Sequence, residues 1–209
     1  MEKELIKVFD ESQHECGVAT REEVHKFGYW HETFHCWFIS KDAGKDYIYF
    51  QKRSAIKKDY PNLLDITAAG HILAHETMSD GVREVHEELG IQVTMEELVS
   101  LGIFKYCVIH EQLVDKEIAN VFLFDYKSNM ENFKLQKEEV SGIVKADFKH
   151  FSELWLGGRT HLNIVGFEID ENGRGLPIDQ IVSKAEFVPH EQVYYESIIS
   201  KINKYIKKN

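Results

Sequence analysis

The chain has 209 residues, of which 43% are hydrophobic and 29% charged, an ordinary globular balance with length enough to bury a core. Its formal net charge of −10 excludes a nucleic-acid backbone as the principal partner, because no basic field is available to displace that polymer's counterions. No apolar run approaches the length that spans a bilayer, so a membrane is excluded as partner, and the residues from Met1 to Lys7 lack the apolar core of a signal peptide.

Along the chain, Leu5 to Phe9 reads as a strand, followed by a polar turn from Asp10 to His14. Thr20-Arg-Glu-Glu23 is a capping-box pattern and predicts a short helix over Arg21 to Lys26. Phe34 to Ile39 and Tyr47 to Gln51 predict two strands around a turn from Lys41 to Lys45. A helix is expected from Met78 to Leu89, with Thr77 as N-cap, Asp80 adding charge to the first turn and Gly90 ending it. Strands follow near Leu98 to Ile109, Ile118 to Tyr126 and Gly142 to Ala146, and Ser152 is expected to cap a short helix through Trp155. Residues 157–187 carry turn signals at Gly157-Gly-Arg159 and Glu171-Asn-Gly-Arg-Gly175 and look like an elaboration. The last segment, about 190–206, repeats apolar residues at Tyr195, Ile198, Ile199, Ile202, Tyr205 and Ile206 with helical spacing. Pro189 suits its first turn, and Lys204, Lys207 and Lys208 suit its negative end.

Strands interspersed with few helices predict an α/β or α+β sandwich in one domain over 1–209, with a core at about 3–156. Cys16, Cys36 and Cys107 have no C-x-x-C spacing, which predicts reduced thiols and a cytoplasmic location.

The helix from Met78 to Leu89 breaks a local rule. On a wheel of about 100° per residue, Met78, Val82, Val85 and Leu89 form one core stripe. Glu84, Glu87 and Glu88 cluster opposite it, where like charges at such spacing destabilise a helix by roughly 0.2–0.5 kcal/mol per pair. The last turn also disfavours anions. A solvated acidic face explains such a cluster equally well when it is taken alone. A divalent cation would resolve the conflict, since Mg²⁺ takes hard oxygen ligands and keeps positions for water and phosphate.

The flanking residues favour the cation. Gly70-His-Ile-Leu-Ala-His-Glu76 and Arg83-Glu84-Val85-His86-Glu87-Glu88-Leu89-Gly90-Ile91 resemble the Nudix box, G-x5-E-x7-R-E-U-x-E-E-x-G-U with U aliphatic. Every fixed position is present in order. Two departures lie in the loop half: six residues, not seven, separate Glu76 from Arg83, and His75 stands where glycine is common. Trp30-His31, Gln51-Lys-Arg53, Pro61 and Leu64-Asp-Ile-Thr-Ala-Ala-Gly-His71 further resemble the Nudix subgroup related to isopentenyl-diphosphate isomerase, over roughly residues 3 to 150.

The resemblance implies a Nudix α/β/α sandwich with a mixed sheet and a C-terminal helix. It implies Mg²⁺ or Mn²⁺ on Glu84, Glu87 and Glu88, with a main-chain carbonyl near Ala69 as a further ligand. Arg83 would orient Glu76 or Glu84. Water would attack a pyrophosphate linkage in a small-molecule diphosphate, with Glu84 or Glu139 as base. Many relatives are homodimers. Lys52 and Arg53 are candidate phosphate contacts, and Arg159 and Arg174 candidate anion contacts in the elaboration; exposed strand-end charges are an equal reading for Lys52 and Arg53. Tyr29 and Trp30 could stack on a base, but core aromatics are the expectation.

The isomerase itself is the alternative. It uses a cysteine in a Cys-Gly-His stretch, where this chain has Ala69-Gly70-His71, and it lacks the full Arg-Glu-x-x-Glu-Glu set retained here. Both differences favour hydrolysis. His31 and His71 nevertheless match metal-binding positions of the isomerase, and Asp115-Lys-Glu117 resembles its acidic pair. They define a second candidate cation site, against the reading that these histidines are structural. A non-catalytic nucleotide-binding module is a further alternative, disfavoured because no helix glutamate is missing.

Overall fold

The computed structural model describes residues 4–110, 113–170 and 172–209; residues 1–3 and Glu171 of the second predicted turn lie outside them. Strands β1 (Leu5–Phe9) and β2 (Glu15–Thr20) form a hairpin that leads into helix α1 (Arg21–Phe27). Thr20 caps that helix as the sequence predicts: it accepts from the Glu23 N–H, and the Glu23 carboxylate accepts from the Thr20 N–H. Next come β3 (Trp30–Asp42), β4 (Lys45–Arg53), β5 (Leu64–Asp65) and β6 (Ala68–His71). A 3₁₀ turn, Met78–Gly81, opens into α2 (Val82–Leu89). Then follow β7 (Val99–His110), β8 (Leu113–Asp125), β9 (Val140–Asp147), α3 (Phe148–Trp155), β10 (Leu162–Ile169), β11 (Gly175–Val182) and α4 (Gln192–Lys208).

β3 is the axis of the sheet. Different stretches of it pair antiparallel with β1, β4 and β6 and parallel with β8, so the sheet is mixed, with one parallel pair among antiparallel ones. Strand alternation sends Phe34, Cys36 and Phe38 to one side, where they pack with Val85 and Leu89 of α2. Trp37 and Ile39 go to the other side, against Phe151 and Trp155 of α3 and Tyr195 and Ile198 of α4. Helices therefore cover both faces, and the sheet with its C-terminal helix is the mixed α+β sandwich expected. Burial holds the Cys36 thiol protonated, in keeping with a core role. Among the described residues, no helix is long and apolar enough to cross a membrane.

Three expectations need correction, and a fourth gains its detail. The Met78–Leu89 helix begins as a 3₁₀ turn, capped by Thr77 and Asp80, before becoming α-helical at Val82. Asp147, not Ser152, caps α3, accepting from the His150 N–H; Ser152 sits inside and bonds the Phe148 carbonyl at 2.8 Å, as a mid-helix hydroxyl can. α4 starts at Gln192, so Pro189 and His190 precede it. They belong to an extended strap, because the Val188 N–H donates to the Leu64 carbonyl and a residue before proline avoids the helical region. The elaboration is a β10–β11 hairpin that extends the sheet by pairing with β9.

Candidate metal centre and its pocket

β6 lies between β3 and α2, with Ala69 opposite His35 in the antiparallel register. The acidic side of α2 lies against it rather than facing solvent. Glu88 is buried and accepts from the Ala69 N–H at 3.2 Å and from Gln51 Nε2 at 3.3 Å. A Cβ on Gly70 would stand 2.2 Å from the Glu84 carboxyl, so this glycine leaves the slot that the carboxylate fills. Glu87 is half exposed. The wheel grouped these glutamates correctly but read them as facing away from the core; β6 closes over Glu84 and Glu88.

Arg83 organises the group. Its guanidinium donates to Glu76 (2.5 and 3.0 Å), to Glu84 (2.7 Å), to Glu87 (3.1 Å) and to the His71 carbonyl (3.1 Å). Glu76 also accepts from the Leu73 N–H at 2.8 Å. The shortened loop therefore still brings Glu76 onto Arg83. A 3₁₀ turn advances about 2.0 Å per residue against about 1.5 Å in an α-helix, so its four residues regain about 2 Å, more than one helical step. Gly81 permits that turn, since a Cβ there would stand 2.7 Å from the Phe34 ring.

The electrostatics follow from this packing. Burial raises the Glu84 carboxyl to about 7 despite the Arg83 charge. Burial, and then the neighbouring Glu84, push Glu88 well above the usual carboxylate range. Burial acts the same way on Glu76, but the Arg83 and Leu73 hydrogen bonds outweigh it and hold that group low. Glu76, Glu84 and Glu87 share one guanidinium, and Glu88 is enclosed without it. Carboxylates so enclosed are costly without further positive charge, and an all-oxygen donor set fits a hard divalent cation.

A second cluster lies along the other side of β6. His25 of α1, His31 of β3 and His71 present ring nitrogens within 4.8 Å of one another, as do the ligand atoms of His31, Asp115 and Glu117. His31 Nδ1 donates to the Tyr29 carbonyl at 3.1 Å, which in the neutral ring makes Nε2 an acceptor. That Nε2 faces Asp115 Oδ1 at 3.4 Å, and both atoms are buried without a hydrogen-bond partner. Burial keeps His31 and His71 neutral; for His31 it prevails over Asp115, which pulls the other way. Glu117 is held the opposite way: burial opposes its charge, but His35 beside it outweighs that and holds the carboxyl well below the usual range. The four residues singled out from the sequence fall in these two groups, which share His31. His25 was missed, and a histidine inside a short capped helix gives no signal of it.

A cavity of about 570 Å³ joins the two clusters. Arg53 lines it, tied to Asp65 at 2.9 Å and to the Asp59 carbonyl. Lys52 does not: it forms an ion pair with Glu168 on β10, because strand alternation turns adjacent residues to opposite faces. Lys57, which the sequence reading passed over, lines the cavity and pairs with Glu139. Arg159 and Arg174 form surface ion pairs with Glu153 and Asp170, and so do not reach the cavity as anion contacts. Trp30 is buried as expected, whereas Tyr29 is largely exposed.

Comparison with known proteins identifies the family and the fold. No family model matches the chain. An uncharacterized Nudix hydrolase of Clostridium acetobutylicum is 36% identical over 199 residues, which cover 95% of this chain and 97% of that protein. Nudix hydrolase 3 of Arabidopsis thaliana is 31% identical over 157 residues, 72% of this chain but 20% of the longer plant protein. The crystal structure of a MutT protein from Methanosarcina mazei aligns with a TM-score of 0.52 at 17% identity, covering 84% of this chain and 96% of that one, and shows the same fold. The chain belongs to the Nudix hydrolase family.

Proposed function

We propose that this protein hydrolyses a pyrophosphate bond in a nucleoside diphosphate linked to another moiety, using Mg²⁺ or Mn²⁺ held by Glu84, Glu87, Glu88 and the Ala69 main-chain carbonyl. The observation that carries this reading is the enclosed carboxylate pair: Glu84 in the Gly70 slot and Glu88 on the Ala69 amide, both lining the cavity. When bound, the cation would neutralise the diphosphate and acidify a coordinated water.

The chain's own residues supply the rest. Arg83 fixes the angles of Glu76, Glu84 and Glu87 and is itself anchored on the His71 carbonyl. Arg53 and Lys57 bring positive charge to the cavity wall and are the phosphate contacts, Lys57 exchanging its Glu139 partner for substrate. Glu84 is the base of this reading, held within the carboxylate group; Glu139 across the cavity is the alternative, and Glu139→Gln decides between them by its effect on kcat.

His31, His71, Asp115 and Glu117, joined by His25, form a second cation site in this proposal. The support is the buried pair His31 Nε2 and Asp115 Oδ1, which face each other at 3.4 Å with neither in a hydrogen bond. Imidazole ligands suit Mn²⁺, Fe²⁺ or Zn²⁺ better than Mg²⁺. Kinship to the isomerase-related subgroup is part of the reading, but Ala69 offers no proton for isomerase chemistry. A single-domain, cytoplasmic enzyme acting as a homodimer completes it.

The test is incubation with Mg²⁺ or Mn²⁺ and a panel of nucleoside di- and triphosphates, nucleotide sugars, dinucleotides and isopentenyl diphosphate. Release of phosphate or nucleoside monophosphate that disappears in Glu87→Gln and Glu88→Gln supports the reading. Conversion of isopentenyl to dimethylallyl diphosphate without phosphate release would overturn it, and ligand binding without turnover would favour a binding module.

A further inference from the structure

A hydrogen-bonded chain runs across the cavity floor from Arg53 to Glu117, and its middle member comes from the C-terminal strap. Arg53 Nη1 donates to Asp65 Oδ2 at 2.9 Å. Asp65 Oδ1 accepts from the Ile66 N–H at 2.8 Å and lies 2.9 Å from His190 Nε2. His190 Nδ1 lies 3.2 Å from the Tyr106 hydroxyl, which donates to Glu117 Oε2 at 2.7 Å. Glu117 Oε2 also accepts from Thr33 Oγ1 at 3.0 Å and meets His35 Nε2 at 3.0 Å. Among the described residues no hydrogen bond reaches Glu117 Oε1.

Counting protons fixes the charge of His190. Asp65 is held as an anion by partners other than His190: Arg53 Nη1 donates to its Oδ2 and the Ile66 N–H to its Oδ1. His190 Nε2 facing it is therefore a donor. Tyr106 has one hydroxyl proton, and Glu117 Oε2, which also accepts from Thr33 Oγ1, takes it at 2.7 Å against 3.2 Å to His190 Nδ1. The phenolic oxygen is then an acceptor toward His190, so Nδ1 also carries a proton. A ring protonated at both nitrogens is an imidazolium. The surroundings allow it: Asp65, Glu117 and Asp115 act on the ring with negative charge, Arg53 reaches it only through Asp65, and His35, Tyr106, Tyr194 and Tyr195 pack around it. A ring neutral at Nδ1 would compete for the Tyr106 proton and cost Glu117 a donor.

We propose that His190 is a positioning residue, a buried imidazolium fixed by Asp65 that keeps the Tyr106 hydroxyl on Glu117 Oε2 and so leaves Glu117 Oε1 as the oxygen offered to a ligand. The strap before α4 thereby contributes to the cavity as well as packing beneath it. The catalytic consequence rests on the proposed function of this cavity; the protonation state does not.

The experiment uses full-length protein with isotope-labelled histidine, His190→Gln serving to assign its signals. Long-range proton–nitrogen correlation spectra at neutral pH should show both His190 ring nitrogens protonated, and Asp65→Asn should return the ring to the neutral pattern. A neutral ring in the wild type overturns the proposal, whether or not a substrate has been found. With a substrate from the panel, His190→Gln and Tyr106→Phe should each lower kcat about 10–100-fold while KM stays within about twofold. The double variant should fall no further than the worse single one, because the residues act in series. Additive losses, or an unchanged kcat in folded His190→Gln, overturn the positioning role. A histidine serving stability alone would lower the melting temperature without that split.

Discussion

Gly70 is the residue on which the carboxylate geometry most depends. A methyl group there would overlap the Glu84 carboxyl, so Gly70→Ala should leave the fold intact while displacing Glu84. We expect kcat to fall about 100-fold with a melting temperature close to wild type, a combination readable from steady-state kinetics and thermal unfolding. A fully active Gly70→Ala would contradict the role given to Glu84. His190 and Asp65 make a different prediction, about pH and stability. Burial works against the His190 charge, but Asp65 wins and raises it above its ordinary 6.5. The stabilisation is therefore complete below about 6.5 and is lost as pH rises through the folded value. Asp65 is lowered from 3.8, so its contribution is present above that value and fades as pH falls. The stability gap between wild type and His190→Gln, measured by urea unfolding, should narrow from pH 6 to pH 9 (a range of about three units spanning the shifted group). A gap that widens would mean the ring is not the cation inferred.

At the scale of elements, the strap and α4 are held by Tyr195, which is buried, stacks on Trp155 at 3.6 Å and donates its hydroxyl to the Val188 carbonyl at 2.8 Å. Tyr195→Ala should cost about 3–5 kcal/mol in denaturant unfolding and loosen the strap that presents His190. The elements also show what a sequence can and cannot convey. The capping box at Thr20, the core stripe of α2 and the apolar face of α4 are local patterns within a turn or two, and each appears where expected. The box around Glu84, Glu87 and Glu88 is equally local. Lys57, His25, Asp65 and His190 are not, because the cavity gathers them from separate elements and no spacing along the chain encodes that. Lys52 turns away from the cavity that Lys57 lines for a related reason: alternation on β4 and the Glu168 partner on β10 are set by pairing in space. The helix start at Ser152 differs because Asp147 makes the local cap one turn earlier, and that at Pro189 because the long-range bond from the Val188 N–H to the Leu64 carbonyl keeps the strap extended.

At the scale of the whole molecule, a net charge of −10 is concentrated in part at a cavity that encloses carboxylates and histidines. Folding without a cation must bear that enclosure, so divalent ions should stabilise the native state. At 100 times its dissociation constant, a bound ion adds about 2.7 kcal/mol, or roughly 5–11 °C for a chain of this size at about 2–4 °C per kcal/mol. Glu88→Gln should unfold at the same or a higher temperature than wild type without metal and lose most of the metal-induced rise, since it removes a carboxyl that burial disfavours along with a ligand. The most direct test of the central claim, that the α2 carboxylates hold the cation, is anomalous scattering from crystals of the full chain soaked in Mn²⁺. The account predicts a peak bounded by Glu84, Glu87 and Glu88 beside Ala69, absent in Glu88→Gln. Soaked wild-type crystals with no peak against that helix, in a lattice that leaves the cavity open, would contradict it.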